Sequence, residues 1–268
     1  MSVNVNGSGN GRDVVSGRQL TYGSVFSGIG GIDLGFDEAG MKCAWQCEVA
    51  EFQSKILKQR WGVPNHGDIT KVDWQKVQKV DLLCGGFPCQ DISQSSATKT
   101  GLDGERSGLW AEYERAIRHL MPRIVVVENV DALRLNGLGR VLRDLALLRY
   151  DAQWSTLSSC TLGATHMRRR MFIVAYSDQK HGRTWLGNFK RNILREAQSK
   201  GFDRGSRTQE RILSASRVDR SSDGVPNRHD RVGALGNAVD VRVAELIGRA
   251  IMQTGHALTS SSPAAGGG

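Results

Sequence analysis

No stretch of the 268 residues approaches the roughly 20 consecutive apolar residues that a bilayer-spanning helix requires. A membrane protein and a membrane partner are therefore not expected. The first 18 residues lack the apolar core of a secretion leader; polar and glycine-rich, residues 1–18 read as a disordered lead-in to a protein that stays in the cytoplasm. Cysteine is scarce too. Five cysteines, an odd number at irregular spacing, argue against a disulfide framework and fit a reducing compartment. Neither Cys43 with Cys47 nor Cys84 with Cys89 is accompanied by a His or Cys pair at zinc-site spacing, so no metal site is expected.

What the chain does have is a hydrophobic fraction of 39%, suited to one good-sized core with at most a small appendage. It also carries a net charge of +9, which points to a polyanionic partner. The charge is unevenly placed. Residues 178–231 hold thirteen Lys/Arg against seven Asp/Glu, a surplus of six in a fifth of the chain. That segment is poor in aliphatic residues and scattered with Gly and Ser, so it cannot build a large core of its own. Trp185, Leu186, Phe189, Ile193 and Leu194 suit one small helix packed on the main body.

Residues 20–26 read as a first strand, followed by the turn Gly28-Ile29-Gly30-Gly31 and a helix over 32–39. This strand, glycine turn and helix is the opening of a nucleotide-binding half-fold, in which glycines let the backbone approach a ligand. A second strand, 43–48, ends in Glu48, about 20 residues after the turn and placed to accept from ribose hydroxyls. A helix follows over 51–61, then a loop at Gly67-Asp68-Ile69, where Asp68 suits a turn cap as well as a ligand contact. The glycine turn alone fits NAD as readily as S-adenosylmethionine. Two details favour the latter: Phe26 at the strand end suits an adenine ring, and the third glycine of the dinucleotide fingerprint is missing.

Around Cys89 the pattern sharpens. The apolar run 80–84 breaks at Gly85-Gly86, and Phe87-Pro88 then deliver the cysteine where a buried strand surfaces. Pro88 fixes its own φ and biases Phe87 towards extended geometry, so backbone holds the thiol in place. Residues 91–108, rich in Ser, Gly and charge, read as a mobile loop suited to closing over a substrate. A helix is predicted over 109–120, and the β-branched run 123–127 suits a strand buried on both faces. It ends at Glu128-Asn129-Val130, and burial there raises a carboxyl pKa. After a helix over 138–150, strands at 153–157 and 171–175 bracket His166-Met167-Arg168-Arg169-Arg170; on an extended segment Arg168 and Arg170 share one face. Residues 231–252 carry Gly236-Asn237-Ala238-Val239 and an amphipathic helix.

In order and spacing, Phe26-Ser27-Gly28-Ile29-Gly30-Gly31, Gly86-Phe87-Pro88-Cys89-Gln90, Glu128-Asn129-Val130, Arg168-Arg169-Arg170 and Gly236-Asn237-Ala238-Val239 resemble the motifs of the cytosine-C5 DNA methyltransferases, from about residue 22 to 251. Residues 223–239 look especially like the short bacteriophage-type members, which implies a bacterial or phage-infected cell. The resemblance implies a doubly wound, Rossmann-like S-adenosylmethionine-dependent domain with a reduced target-recognition segment, acting on double-stranded DNA as a monomer. It implies Cys89 as nucleophile, Glu128 holding the target cytosine, and Arg168 and Arg170 as further catalytic residues. Phe26, Ser27, Gly28, Ile29, Gly30, Gly31, Glu48, Asp68, Ile69, Gly86, Pro88, Leu109, Asn237 and Ala238 would hold the donor. One departure stands out, since His166 occupies the place of the family's glutamine.

The expected organisation is a lead at 1–18, a catalytic domain at 19–177, a recognition segment at 178–228, a C-terminal segment at 229–253 that packs back on it, and a disordered tail at 254–268. Three other readings stay open: the same chemistry on RNA, a silent DNA-binding relative, and an NAD-dependent oxidoreductase supported by the glycine turn alone.

Overall fold

The strands of this protein are short runs of β-branched and aliphatic residues, and the helices between them are apolar on one side. Such elements bury their surfaces by stacking helices on both faces of a sheet. The computed structural model describes residues 19–88, 108–162, 168–177, 182–199 and 238–259. In chain order the elements are β1 (Thr21–Val25), α1 (Gly31–Glu38), β2 (Lys42–Cys47), α2 (Glu51–Arg60), β3 (Leu82–Gly86), α3 (Leu109–Leu120), β4 (Ile124–Val130) and a single-turn α4 (Leu133–Asn136). There follow α5 (Leu138–Leu147), β5 (Asp151–Ser158), β6 (Arg169–Tyr176), α6 (Gly182–Ser199) and α7 (Val241–Thr259).

The described strands form a six-stranded sheet in the order β2-β1-β3-β4-β6-β5. The first four are parallel, whereas β6 runs antiparallel to both of its neighbours. This is the doubly wound α/β arrangement that the alternating pattern predicts. The chain reverses its direction of winding at β1, between β2 and β3, and in such sheets ligands bind beyond the carboxyl ends of the strands at that point. The antiparallel β6 brings its first residues, Arg169 and Arg170, to the same rim, with Arg170 opposite Val130.

Alternation along β4 divides the core. Val125 and Val127 face one side with Trp110, Tyr113 and Ile117 of α3 and Leu145 of α5. Ile124 and Val126 face the other, with Phe36 of α1, Trp185 and Phe189 of α6, and Val243 and Ile247 of α7. The small helix expected from Trp185, Leu186 and Phe189 is α6. Trp185 stacks between Tyr176, 4.6 Å away, and Phe189, 5.7 Å away. Leu194, expected to share in this packing, lies on the exposed side.

Several boundaries differ from the sequence expectation. Gly85 and Gly86 do not break β3; they continue it, because both pair with β4, Gly85 with Val127 and Gly86 with Glu128. Strand β4 does end in Glu128-Asn129-Val130, and β6 pairs with it as far as Val130. Helix α5 ends at Leu147, short of Tyr150, and Arg149 then takes a left-handed conformation with φ 67°. Finally, Thr254 does not begin a disordered tail. It is fully buried within α7, where its hydroxyl donates to the Ala250 carbonyl at 2.6 Å and accepts from the Asn192 amide at 3.0 Å.

Candidate active site

Glu128 is the residue around which the strand-end rim is built. It lies on β4, 7% exposed, and Gly86 faces it across the β3–β4 ladder. A β-carbon at position 86 would run into the Glu128 carboxylate, so glycine is what lets that group sit against β3. Burial pushes the Glu128 carboxyl up to about 7, against the opposing pull of Arg170 and then Arg168. Arg170 Nε stands 3.0 Å from Glu128 Oε1. A carboxyl balanced in this way near neutrality can donate a proton as well as accept one.

The arginines divide as the alternation predicts. Arg170 pairs with Glu128, whereas the intervening Arg169 turns to Asp131 at 3.3 Å. Arg168 is half-buried, acts on Glu128 electrostatically, and its own pKa is lowered by desolvation and by Arg170. Its carbonyl accepts from the Ser159 N–H, which fixes the backbone entering β6. His166 lies outside the described residues.

The backbone leading to the cysteine is tied to the same strand. Asn129, buried beside Glu128, donates from its side-chain amide to the Phe87 carbonyl at 3.1 Å, and the Phe87 ring packs on Trp110 at 5.4 Å. Asn129 is a site residue that sequence reasoning passed over, although its place in Glu-Asn-Val was the available signal. Cys89 and the loop after it, up to residue 107, lie outside the described residues; Pro88, the last described residue before it, is exposed. Three other cysteines are poor nucleophiles. Cys43 and Cys84 are buried with thiols pushed well above their usual range by desolvation, and Cys47 is pushed up to about 12 for the same reason.

The glycine turn is braced from within and from β2. Ser27 donates its hydroxyl to the Ser24 carbonyl at 3.1 Å, and the Gly30 N–H bonds the Ser27 carbonyl at 2.9 Å. Glu48 accepts the Gly28 N–H at 2.7 Å on one oxygen and the Ala50 N–H at 2.9 Å on the other. The carboxylate expected to meet a ribose is thus fixed by the turn it serves. Phe26 is left-handed, φ 53°, a conformation that costs a non-glycine residue roughly 1–2 kcal/mol. Its half-buried ring meets the edge of Tyr113, centroids 6.2 Å apart.

The remaining predicted donor residues divide. Asp68 acts as the turn cap, accepting from the Thr70 N–H at 3.0 Å and hydroxyl at 2.8 Å, while Ile69 is 4% exposed and packed into the core. Ile29 and Leu109 are half-buried, the latter opening α3. Ala238 is half-buried, and its neighbour Val239 passes so close to Gly31 that a β-carbon there would meet the Val239 carbonyl oxygen. The C-terminal segment therefore does return to the glycine turn. Asn237 lies outside the described residues.

A family model described as C-5 cytosine-specific DNA methylase matches residues 20–221. The Type II methyltransferase M.DsaV of Dactylococcopsis salina is 32% identical over 180 residues, covering 66% of this chain and 51% of that protein. The Type II methyltransferase M1.ScrFI of Lactococcus lactis subsp. cremoris is 35% identical over 157 residues, 57% of this chain and 40% of that protein. The chain thus matches about half the length of these curated relatives, or less. Among solved structures, the Entamoeba histolytica methyltransferase EhMeth shares the fold with a TM-score of 0.62 over 88% of this chain and 99% of that one, at 13% identity. A buried glutamate at a strand-end rim, an arginine held against it and a braced glycine turn thus stand in a chain that belongs to the C-5 cytosine-specific DNA methylase family.

Proposed function

We propose that this protein transfers a methyl group from S-adenosylmethionine to carbon 5 of cytosine in double-stranded DNA, through a covalent bond between Cys89 and the base. The observation that carries this reading is Glu128: a buried carboxyl held near neutrality, 3.0 Å from an arginine, one strand away from the segment that leads to Cys89.

Carbon 5 of cytosine is too weak a nucleophile to take a methyl group unaided. Addition of the Cys89 thiolate to carbon 6 moves electron density towards carbon 5, and Glu128 meets the developing charge by donating its proton at N3. Arg170 or Arg168 would steady the carbonyl oxygen of the ring. After transfer, a base removes the carbon 5 proton, the bond to Cys89 breaks by elimination, and Glu128 recovers its proton. The target base must first leave the stacked duplex, at a cost of a few kcal/mol.

The donor, when bound, supplies an electrophilic methyl group. The residues at the glycine turn fit it: Glu48 is locked in place by Gly28 and Ala50 and offers carboxylate oxygens to ribose hydroxyls, and Phe26 sits at the strand end where an adenine ring would stack. Ser27, Gly28, Ile29, Gly30 and Gly31 would line the rest, with Ala238 and Asn237 closing it, Leu109 at the head of α3, and Gly86 and Pro88 towards the cysteine. Asp68 caps its turn through one oxygen and has the Lys71 ammonium 3.5 Å from the other, which would still be the oxygen to meet the adenine edge, with Ile69 beneath it.

The test is incorporation of radiolabelled methyl groups into duplex DNA and into tRNA, followed by bisulfite sequencing of the DNA. The proposal expects methylated cytosine in duplex DNA and none after Cys89→Ala, with donor binding kept. Transfer to tRNA alone would move the substrate to RNA, and undiminished transfer by the Cys89→Ala protein would remove the covalent step.

A further inference from the structure

Asn65 lies at the surface, where water could satisfy its amide, yet it commits every hydrogen-bonding position to protein groups. Its Oδ1 accepts the Glu48 N–H at 2.9 Å and the Gly67 N–H at 3.2 Å. Its Nδ2 donates to the Glu48 carbonyl at 3.1 Å and to the Ser54 hydroxyl oxygen at 3.0 Å. A side-chain amide has two acceptor sites and two donors, so its capacity is filled. The Ser54 hydroxyl, from α2, donates in turn to the same Glu48 carbonyl at 3.0 Å, which closes a ring about the Glu48 backbone.

The chain around Asn65 is held in register with β2. The Gln46 N–H donates to the Pro64 carbonyl and the His66 N–H to the Gln46 carbonyl, each at 2.8 Å, so that Asn65 lies beside Gln46 as a short parallel bridge. Pro64 fixes its own φ, and Gly67 then turns the chain with φ 71°.

A turn by itself needs less than this. One bond from the side-chain oxygen to the N–H two residues on is enough, and Asp68 makes just that bond to Thr70. The further bonds of Asn65 all bear on Glu48, directly or through Ser54. The Glu48 carboxylate is itself held by the N–H groups of Gly28 and Ala50, so the residue is fixed by its N–H, its carbonyl and both side-chain oxygens. Resting on the function proposed above, we propose that Asn65 is a positioning residue for the donor: it holds the Glu48 backbone so that the carboxylate stands ready where the ribose hydroxyls arrive. Such preorganisation raises affinity because binding no longer has to order the group that receives the ligand. Asn65 acts through Glu48 and need not touch the donor.

The experiment is titration calorimetry of the full chain with S-adenosylhomocysteine and with the counterpart whose ribose lacks both hydroxyls, for the wild type, Asn65→Ala and Asn65→Asp. The wild type is expected to bind the ribose-bearing ligand the more tightly. Asn65→Ala should weaken that ligand by roughly tenfold, the size of about one net hydrogen bond. The ligand without hydroxyls, which gives Glu48 nothing to hold, should change by less than about twofold. Asn65→Asp keeps an oxygen for the turn but has no N–H to give the Glu48 carbonyl or Ser54, so it should lose ribose preference as well. Full ribose preference in Asn65→Asp, or equal weakening of both ligands by Asn65→Ala, would reduce Asn65 to a turn residue and overturn the proposal. Equal binding of the two ligands by the wild type would overturn it too. If Asn65→Ala fails to fold, Asn65→Asp decides, since aspartate suits such turns. Absence of any S-adenosylhomocysteine binding by the wild type would instead strike at the proposed function itself, and at this proposal with it.

Discussion

The residue on which the proposed chemistry turns is Glu128, and its environment sets a pH dependence with a definite sign. Its folded pKa is raised from 4.5 to about 7, so the protonated form that donates at N3 is lost as pH rises through about 7. The single-turnover rate of methyl transfer is expected to fall over that range. Glu128→Gln should lower it by about 10²–10⁴-fold, as loss of a general acid does, and abolish this limb of the profile; an unchanged rate would take Glu128 out of the mechanism. The same shift bears on stability. Because the folded state holds its proton more tightly than the unfolded one, Glu128 contributes stability that is present below about pH 4.5 and lost as pH rises to about 7. Thermal unfolding should therefore move in favour of Glu128→Gln, relative to the wild type, across that window. Gly86→Ala places a methyl group against the same carboxylate. It is expected to lower the single-turnover rate severalfold or more; an undiminished rate would mean that the Glu128 carboxylate has room to give way.

Among the elements, α6 shows where sequence spacing suffices and where it does not. Trp185, Leu186 and Phe189 announce a buried stripe, but the stacking of Trp185 between Tyr176 and Phe189 depends on β6 lying beneath it. Trp185→Ala should cost about 3–5 kcal/mol, the usual range for removing a large buried aromatic, seen as a lower midpoint in urea. A loss under about 0.5 kcal/mol, the size of an ordinary surface change, would mean that α6 is not part of the core. The boundary of β3 was misjudged for an instructive reason. Gly85-Gly86 ends a strand by local propensity, yet in a central strand the ladder to β4 on one side and the crowding of Val25 on the other make small residues an advantage. Helix α7 outran its expected end because Thr254, polar by type, finds two hydrogen-bond partners inside.

For the whole molecule, the net charge of +9 and the basic surplus in residues 178–231 are expected, on the proposed function, to make duplex binding strongly dependent on salt. Helix α6 keeps Lys190 and Arg195 exposed on the side away from its packed face. If they meet phosphates, changing both to Ala should flatten the plot of log affinity against log salt by about 0.9 for each phosphate no longer neutralised, at every DNA sequence alike. An unaltered slope would place the DNA elsewhere. A gel-shift series over several salt concentrations reads this directly.

Legible in the chain itself were the residue types and their order. Local chemistry and spacing mark the glycine turn, the acid after β2, the Phe-Pro-Cys segment, Glu-Asn-Val and the alternating arginines, because each is contiguous. The pairing of distant groups is a different matter. That Gly86 faces Glu128, that Asn129 holds the Phe87 carbonyl, that Glu48 is clasped by Gly28, and that Asn65 reaches the Glu48 backbone all follow from strand register and helix placement. Register is fixed only when the two faces of the sheet close on their helices, since a shift of one residue would turn every inward side chain outward.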